Sequence, residues 1–167
     1  MEFSADRTPA MPKQIPDIGE LGEHLVAQWL QAQGWEILHR RWYCRWGELD
    51  IIARQSPIDS LQAPLVFVEV KTRSQGNWDA DGLLSITPKK QAKLLQAAQM
   101  YLAQHPDKAK LPCRFDVALV RCQRLSKSLP AEVNVVAGQT NTLGIDYAIA
   151  LSGYHLILQD YIQSAFD

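Results

Sequence analysis

Cysteine is scarce in this chain of 167 residues, and its distribution argues against two classes of protein. The cysteines are Cys44, Cys113 and Cys122, and their spacing contains neither a CxxC pair nor a zinc-ligand pattern. An odd and scattered set is typical of reduced thiols in a cytosolic protein. We therefore expect a cytoplasmic protein without a disulfide framework and without a structural zinc site.

Long hydrophobic runs and an excess of positive charge are also missing. No segment combines the length and the apolarity of a transmembrane helix, so we expect no membrane partner. The formal net charge is −1, so the overall basic character that is common among nucleic-acid-binding proteins is absent. A nucleic-acid partner would therefore have to be bound by a local cluster of basic residues.

The first sixteen residues differ in composition from the rest of the chain. They contain acidic residues and three prolines but no apolar core, so they do not resemble a signal peptide. We expect a disordered leader over residues 1–16. Residues 17–167 suffice for a single domain with a core, because 47% of the chain is hydrophobic and 21% is charged.

A first helix is indicated by both its ends and its apolar face. Asp17, with Glu20 three residues later, predicts a capping box at the start, and Gly34 predicts the end. Glu23 projects from the edge of the apolar stripe and is therefore the helical carboxylate expected to reach a sheet. The stripe consists of Ile18, Leu21, Leu25, Val26, Trp29 and Leu30.

A second helix and several strands complete the predicted order. Thr87 is a favourable N-cap, and Pro88 suits the first helical position. The second helix is expected to end near residues 105–106. Short runs rich in Val, Ile and Phe predict strands at 35–44, 47–53, 65–73 and 115–121, with edge strands at 145–151 and 154–158. The order α-β-β-β-α-β indicates an α/β protein with a mixed sheet.

Acidic residues interrupt two of the predicted strands. Asp50 lies between Leu49 and Ile51, and Glu69 lies in a run of valines. Side chains alternate along a strand, so Glu69 and Lys71 share one face. Because burying an unpaired carboxylate is unfavourable, proteins retain such groups where they are paired or bind a metal. The pattern therefore predicts a divalent-metal site for hydrolysis.

Each residue of this pattern suits a role in cleaving a phosphodiester. Mg²⁺, with Mn²⁺ as a substitute, prefers oxygen ligands, which Asp50, Glu69 and the backbone carbonyl of Val70 would supply. Glu23 would bind the metal directly or through water. Such a metal activates water and neutralises charge on the phosphate. Lys71 would orient the attacking water or stabilise the phosphate charge.

The same segments carry a family resemblance. Residues 19–23 match a GxxGE helix start, residues 47–53 match GE(I/L)D(I/L)IA, and residues 67–73 read FVEVKTR. Residues 88–91, 114–117 and 165–166 also fit. In this combination the chain resembles the YraN-like family of uncharacterised proteins, which is similar to archaeal Holliday-junction resolvases of the PD-(D/E)xK nuclease superfamily. The match extends from Gly19 to about Val120.

The resemblance implies a restriction-endonuclease-like three-layer sandwich, in which a mixed central sheet has helices on both faces. It also implies a Mg²⁺-dependent endonuclease acting on DNA, including branched or otherwise structured DNA. The superfamily's metal-binding Asp and Glu fall on Asp50 and Glu69, its Lys on Lys71 and its helical Glu on Glu23. Junction-resolving relatives suggest a homodimer. Residues 121–161 depart from the family's usual short end, so we expect an atypical C-terminal extension from about residue 121.

Basic and polar residues near the predicted strand ends and the second helix are candidates for contacts with nucleic acid. They are Arg41, Arg45, Arg73, Lys90 and Gln91. Positive side chains beside such a site would meet the phosphates of the substrate. Solvated arginines and lysines, and a packing or capping role for Gln91, are the structural alternatives.

Other readings of the acidic residues remain open. Asp50 would form a salt bridge with Lys71 if no metal were bound, and Glu69 with Lys71 would be a solvent-facing set. Glu23 would merely favour the positive end of its helix. Glu48 follows a glycine at a turn and is expected to be solvated. Two further functions correspond to these readings: a catalytically inactive nucleic-acid-binding module, and an interaction protein with a structural acidic cluster.

Overall fold

The computed structural model describes residues 16–55, 62–74, 86–126, 136–137 and 147–167. Apart from Pro16, the predicted leader lies outside these described residues. Two α-helices, α1 (Ile18–Ala32) and α2 (Pro88–Gln104), are present in this part of the chain, with a 3₁₀ turn at Pro106–Lys108. The strands are β1 (Trp35–Cys44), β2 (Gly47–Gln55), β3 (Leu65–Ser74), β4 (Cys113–Arg124), β5 (Val136–Ala137), β6 (Tyr147–Leu151) and β7 (Tyr154–Phe166).

All of these strands belong to one mixed sheet with the order β1-β2-β3-β4-β7-β6-β5. Strands β3 and β4 run parallel, whereas every other neighbouring pair is antiparallel. Parallel neighbours need a long crossover, which here contains α2. The predicted α-β-β-β-α-β order and the mixed α/β class are confirmed.

The two helices cover opposite faces of the sheet. Val66 and Val68 of β3 pack in one core with α1, whereas Leu65 and Phe67 of the same strand pack in a second core with α2. This division follows from the alternation of side chains along a strand. The side of the sheet that bears α1 and the side that bears α2 are called the α1 side and the α2 side below.

The helices begin where the sequence predicts. The Asp17 side chain accepts a hydrogen bond from the Gly19 N–H at 2.9 Å, and the Thr87 hydroxyl accepts one from the Lys90 N–H at 3.3 Å. Helix α1 is followed by Gly34 at φ +82°, a conformation that glycine adopts readily. Neither helix of the described residues is long and apolar enough to span a membrane.

The prediction of edge strands at 145–151 and 154–158 is wrong, because β6 lies between β5 and β7, and β7 lies in the interior of the sheet. The strand extends to Phe166 and pairs with both β4 and β6. Its second half contains exposed polar residues, Asp160, Gln163 and Ser164, which obscured the strand pattern. Strands β6 and β7 fall in the segment expected as an atypical extension, and they belong to the same sheet as β1–β4.

Asp116 connects the end of β7 to β4 through hydrogen bonds. Its side chain is 0% exposed and accepts hydrogen bonds from Arg114 Nε (3.1 and 3.2 Å), the Tyr161 hydroxyl (2.8 Å) and the Ser164 N–H (3.0 Å). Ser164 has a φ of +48°, and the pairing of β4 with β7 shifts register in this region. A charged and fully hydrogen-bonded aspartate thus holds an irregular strand end in place.

Candidate functional site

The site predicted from the sequence lies where β2 and β3 separate. The two strands pair from Arg54 opposite Leu65 to Ile51 opposite Val68, and the pairing ends there. Beyond that point β2 continues its pairing with β1, and β3 continues with β4 as far as Ser74. The sheet therefore splits beside Asp50 and Glu69, the residues that would have formed the next pair.

Asp50 fills this split with its side chain. Its Oδ2 accepts a hydrogen bond from the Val70 N–H at 2.8 Å. Leu49 packs on the α2 side although alternation with Ile51 would place it on the α1 side, so β2 twists at Asp50. The N–H and C=O of one strand residue point to the same neighbouring strand. The Val70 carbonyl therefore also faces the split, as its predicted role as a ligand requires.

Three carboxylates meet on the α1 side of the split. One oxygen from each of Glu23, Glu48 and Asp50 lies within 4.8 Å of the others. Glu23 is only 7% exposed, and its Oε2 has no hydrogen-bond partner among the described residues. The sequence expectation that Glu23 reaches the sheet is met, and these three residues are called the acidic cluster below.

Glycine at position 22 allows α1 to bring Glu23 this close. A Cβ atom at Gly22 would clash with the Thr72 hydroxyl and would lie 3.1 Å from the Thr72 Cβ. Thr72 follows Lys71 on β3, so helix and strand are in direct contact at the site. Each of the GxxGE and FVEVKTR motifs therefore supplies an acidic residue and also one partner of the contact between Gly22 and Thr72.

Glu48 is the functional candidate that the sequence interpretation missed. It was expected to be solvated, but it is partly buried and belongs to the acidic cluster. The available signal was its position two residues before Asp50, but β2 departs from regular alternation at Asp50, so this spacing did not predict the side of the sheet on which Glu48 lies. The interpretation was wrong because it assigned Glu48 to the turn after Cys44. The hairpin is tight, so Glu48 already belongs to β2 and pairs with Tyr43 of β1.

Arg41 contacts the acidic cluster from β1. Its Nε atom is 2.9 Å from Glu48 Oε1 and 3.6 Å from Glu23 Oε2, and its Nη1 atom is 3.7 Å from Glu20 Oε2. The residue has a φ of +50°, which is uncommon for any residue except glycine. Arg41 thus lies beside the site, as predicted, but its guanidinium is engaged by carboxylates.

On the α2 side, Glu69 is held by two lysines. Its side chain is 5% exposed, and its Oε1 lies 2.8 Å from Lys71 Nζ and 3.3 Å from Lys90 Nζ. Its Oε2 is buried and has no hydrogen-bond partner among the described residues. The solvent-facing reading of Glu69 is therefore wrong, and Lys71 pairs with Glu69 instead of Asp50.

Burial and like charges raise the pKa values of two acids at the split. The pKa of Asp50 is raised to about 7, chiefly by burial and also by the Glu69 and Glu23 carboxylates, while the hydrogen bond from the Val70 N–H and the charge of Lys90 oppose the shift. Burial also raises the pKa of Glu23 to about 7, with Arg41 opposing and Glu48 reinforcing the shift. A bound cation would lower both pKa values, because it favours the charged forms of the two carboxylates.

The remaining predicted residues are placed differently. Arg45 lies in the β1–β2 turn with its guanidinium 5.0 Å from the Trp46 ring centre, and Arg73 is exposed near the end of β3. In the described part of the chain, neither forms an ion pair with the acids of the split. Gln91 donates to the Ile86 carbonyl at 3.1 Å, as the capping alternative predicts.

Comparisons with known proteins identify the relatives of this chain. The model of "Uncharacterised protein family UPF0102" matches residues 22–120. A UPF0102 protein of Acaryochloris marina is 54% identical over 153 residues, which covers 89% of each chain. One from Trichodesmium erythraeum is 48% identical and covers 99% of this chain and 97% of its own, so that match includes the segment after residue 121. One from Synechocystis is 41% identical over 155 residues, covering 91% of this chain and 99% of its own.

These matches agree with the YraN-like resemblance read from the GxxGE, GELDIIA and FVEVKTR segments, two of which lie within the matched region and the third at its start. The chain therefore belongs to the UPF0102 family.

Proposed function

We propose that this protein is a Mg²⁺-dependent endonuclease that hydrolyses phosphodiester bonds in DNA, with branched or otherwise structured DNA as its substrate class. The observation that carries the proposal is the split between β2 and β3. There Asp50, the Val70 main chain, Glu23 and Glu69 approach one another from two strands and a helix. Acids with strongly raised pKa values in such a place are characteristic of functional sites.

The residues at the split suit a magnesium ion. Buried Oε2 atoms of Glu23 and Glu69 have no hydrogen-bond partner among the described residues, and hard oxygen donors are what Mg²⁺ requires. Asp50, Glu69 and the Val70 carbonyl would hold the ion, and Glu23 would complete the set directly or through water. When bound, the ion would supply Lewis acidity and an activated water.

The cationic side chains would act on the substrate. Lys71 and Lys90 already lie at the Glu69 carboxylate, so both ammonium groups are close to where the scissile phosphate would be bound. A fixed ammonium group stabilises the charge that develops on a phosphate in the transition state. Arg41, Arg45, Arg73 and Gln91 would contact the DNA backbone around the site, which fixes position without reading sequence.

The fold supports the same assignment. A mixed sheet with α1 on one side and α2 on the other, built in the order α-β-β-β-α-β, fits a restriction-endonuclease-like sandwich. We further propose that the protein acts in the cytoplasm, and that two copies form a dimer with one site for each of two DNA strands.

The proposal is tested by cleavage of a labelled four-way junction and a linear duplex of the same sequence. The wild-type protein should cut in Mg²⁺ or Mn²⁺ and should not cut in EDTA. Asp50→Ala and Glu69→Ala should each lower the rate by roughly a hundredfold or more, because each removes an anionic ligand. Glu36→Ala, which removes an exposed carboxylate from β1, is the matched control and should cut normally. Normal cutting by Asp50→Ala would refute the proposal.

A second candidate function is a catalytically inactive DNA-binding module of the same fold. The observation that favours it is the double ion pair of Glu69, whose Oε1 already has two ammonium partners. This alternative predicts binding of the junction that is equal in Mg²⁺ and in EDTA, together with no cleavage of either DNA.

A further inference from the structure

Glu48 is an acid of the site that the magnesium ligands proposed above do not use. It lies on the α1 side of Asp50, opposite Glu69, and one of its oxygens is within 4.8 Å of oxygens from Glu23 and Asp50. The Oε2 atom of Glu23, on a side chain that is more than nine-tenths buried, has no hydrogen-bond partner in the described parts of the chain. An acidic cluster and a buried unsatisfied oxygen together point to a missing positive ligand.

Arg41 is the positive group that touches this cluster, but it satisfies the cluster poorly. Only its contact with Glu48, at 2.9 Å, is a hydrogen bond, whereas Glu23 and Glu20 are 3.6 and 3.7 Å from the guanidinium. The side chain is 43% exposed. Its backbone has a φ of +50°, a conformation that is unfavourable for arginine and must be maintained by its surroundings.

Lys71 and Lys90 do not share this role. Both contact Glu69, on the α2 side of the sheet. The direct ion pairs of the two sides therefore differ, with the lysines at Glu69 and Arg41 at Glu23 and Glu48, and Lys90 acts on Asp50 only through its charge. Asp50 lies between the two sides, and the charges of both Glu69 and Glu23 act on it.

We propose that Glu23, Glu48 and Asp50 form a divalent-cation position, with Glu48 as a ligand, and that Arg41 and the cation compete for it. Magnesium and manganese require carboxylate oxygens at a distance of about 2 Å, and a guanidinium held by the same oxygens excludes them. Arg41 thereby sets the metal concentration at which this position fills. The inference rests on the proposed function because Asp50 and Glu23 belong to both ligand sets.

The test is Mn²⁺ binding to the full chain, measured by electron paramagnetic resonance of the free ion. Arg41→Met should bind Mn²⁺ at least about fivefold more tightly than the wild type, because competition couples the two cations by at least that factor. Glu48→Gln should bind more weakly. In the double variant the gain from Arg41→Met should shrink, because the ligand that Arg41 holds by a hydrogen bond is then absent and only its 3.6 Å contact with Glu23 remains.

Arg124→Met is the matched control. It removes one positive charge from an exposed residue at the end of β4 and should leave Mn²⁺ affinity unchanged. Should Arg41→Met fold poorly, Arg41→Asn serves in its place, because asparagine tolerates positive φ. An unchanged or weaker affinity in the Arg41 variant would overturn the inference, as would a gain of undiminished size in the double variant.

Failure of this inference is distinguishable from failure of the proposed function. If Mn²⁺ binding is lost in Asp50→Ala and Glu69→Gln but is unaffected by changes at Arg41 and Glu48, the proposed metal site stands and the competing position is refuted. If the wild-type protein takes up no Mn²⁺, both proposals are refuted.

Discussion

Two aspartates of the sheet, Asp116 on β4 and Asp50 on β2, have opposite kinds of surroundings. Asp116 is completely buried, and both of its oxygens accept hydrogen bonds, from the Arg114 side chain, the Tyr161 hydroxyl and the Ser164 N–H. Among the residues that the structure describes, Asp50 accepts one hydrogen bond, from the Val70 N–H, and its other neighbours include the carboxylates of Glu23, Glu48 and Glu69. The first aspartate is neutralised within the fold, and the second is not.

The difference separates a structural carboxylate from a candidate functional one. A buried charge with a complete set of partners stabilises a particular arrangement of strands. A carboxylate that is buried near other carboxylates destabilises the protein unless a cation or a proton binds. Residue type alone does not distinguish Asp50 from Asp116, whereas their surroundings in three dimensions do.

The largest effect on stability is expected when Asp116, which has a complete set of hydrogen-bond partners, is removed. Asp116→Ala should lower the free energy of unfolding by about 3–5 kcal/mol, because it leaves the partly buried Arg114 guanidinium, the Tyr161 hydroxyl and the Ser164 N–H without their common acceptor. Urea unfolding followed by circular dichroism measures this loss. Asp160→Ala, an exposed aspartate on β7, is the control and should change stability by less than about 0.5 kcal/mol. If Asp116→Ala lost no more stability than this control, Asp116 would not be a structural carboxylate, and its contrast with Asp50 would be refuted.

An effect of opposite sign is expected at Asp50. Its pKa is raised on folding from 3.8 to about 7, so the folded state binds the proton more tightly and stability is lost as the pH rises from 4 through 7. Asp50→Asn keeps the shape and an oxygen acceptor for Val70 but removes the charge. It should therefore increase stability at pH 8 by on the order of 2 kcal/mol, and by less at pH 5.

This second comparison is made by urea unfolding in EDTA at both pH values. A structural role for Asp50 predicts the reverse result, a loss of stability in Asp50→Asn that is present at pH 8. The same substitution should also prevent cleavage, which would make Asp50 a residue that lowers stability in exchange for activity.

The smallest effect is expected from a single partner of Asp116. Burial and the adjacent carboxylate raise the pKa of Tyr161, so its hydroxyl remains a neutral donor across the accessible pH range. Tyr161→Phe removes this one hydrogen bond and should lower stability by about 1 kcal/mol. Thermal unfolding measures the change, and Tyr154→Phe is the control. An equal loss of stability in both variants would show that the hydrogen bond from Tyr161 to Asp116 does not stabilise the fold.

The parts of the fold that the sequence predicted well depend on local signals. Helix caps at Asp17 and Thr87, and alternating valines in β3, act within a few residues. Strand β7 was misplaced because its neighbours are determined by pairing with β4, about forty residues away, and by polar partners of Asp116. No pattern within residues 154–166 contains that information.

The same distinction applies to the site. Glu23, Asp50 and Glu69 could be selected from motif and alternation, and Arg41 could be placed near the strand ends, but its contact with the acidic cluster could not be predicted. The register of β1 shifts between Ile37 and His39, which changes the face on which later residues of the strand lie. A bulge of this kind is invisible in the periodicity of the sequence. The contact of Arg41 with the acidic cluster therefore required the structure.

The close approach of Gly22 to Thr72 has a consequence for how this site can change during evolution. Any side chain at position 22 would push the helix away from β3 and withdraw the Glu23 carboxylate from Asp50. An enlargement at position 22 is therefore tolerable only with a compensating reduction at position 72. The two positions should covary, and neither should drift alone in a protein that keeps its acids together.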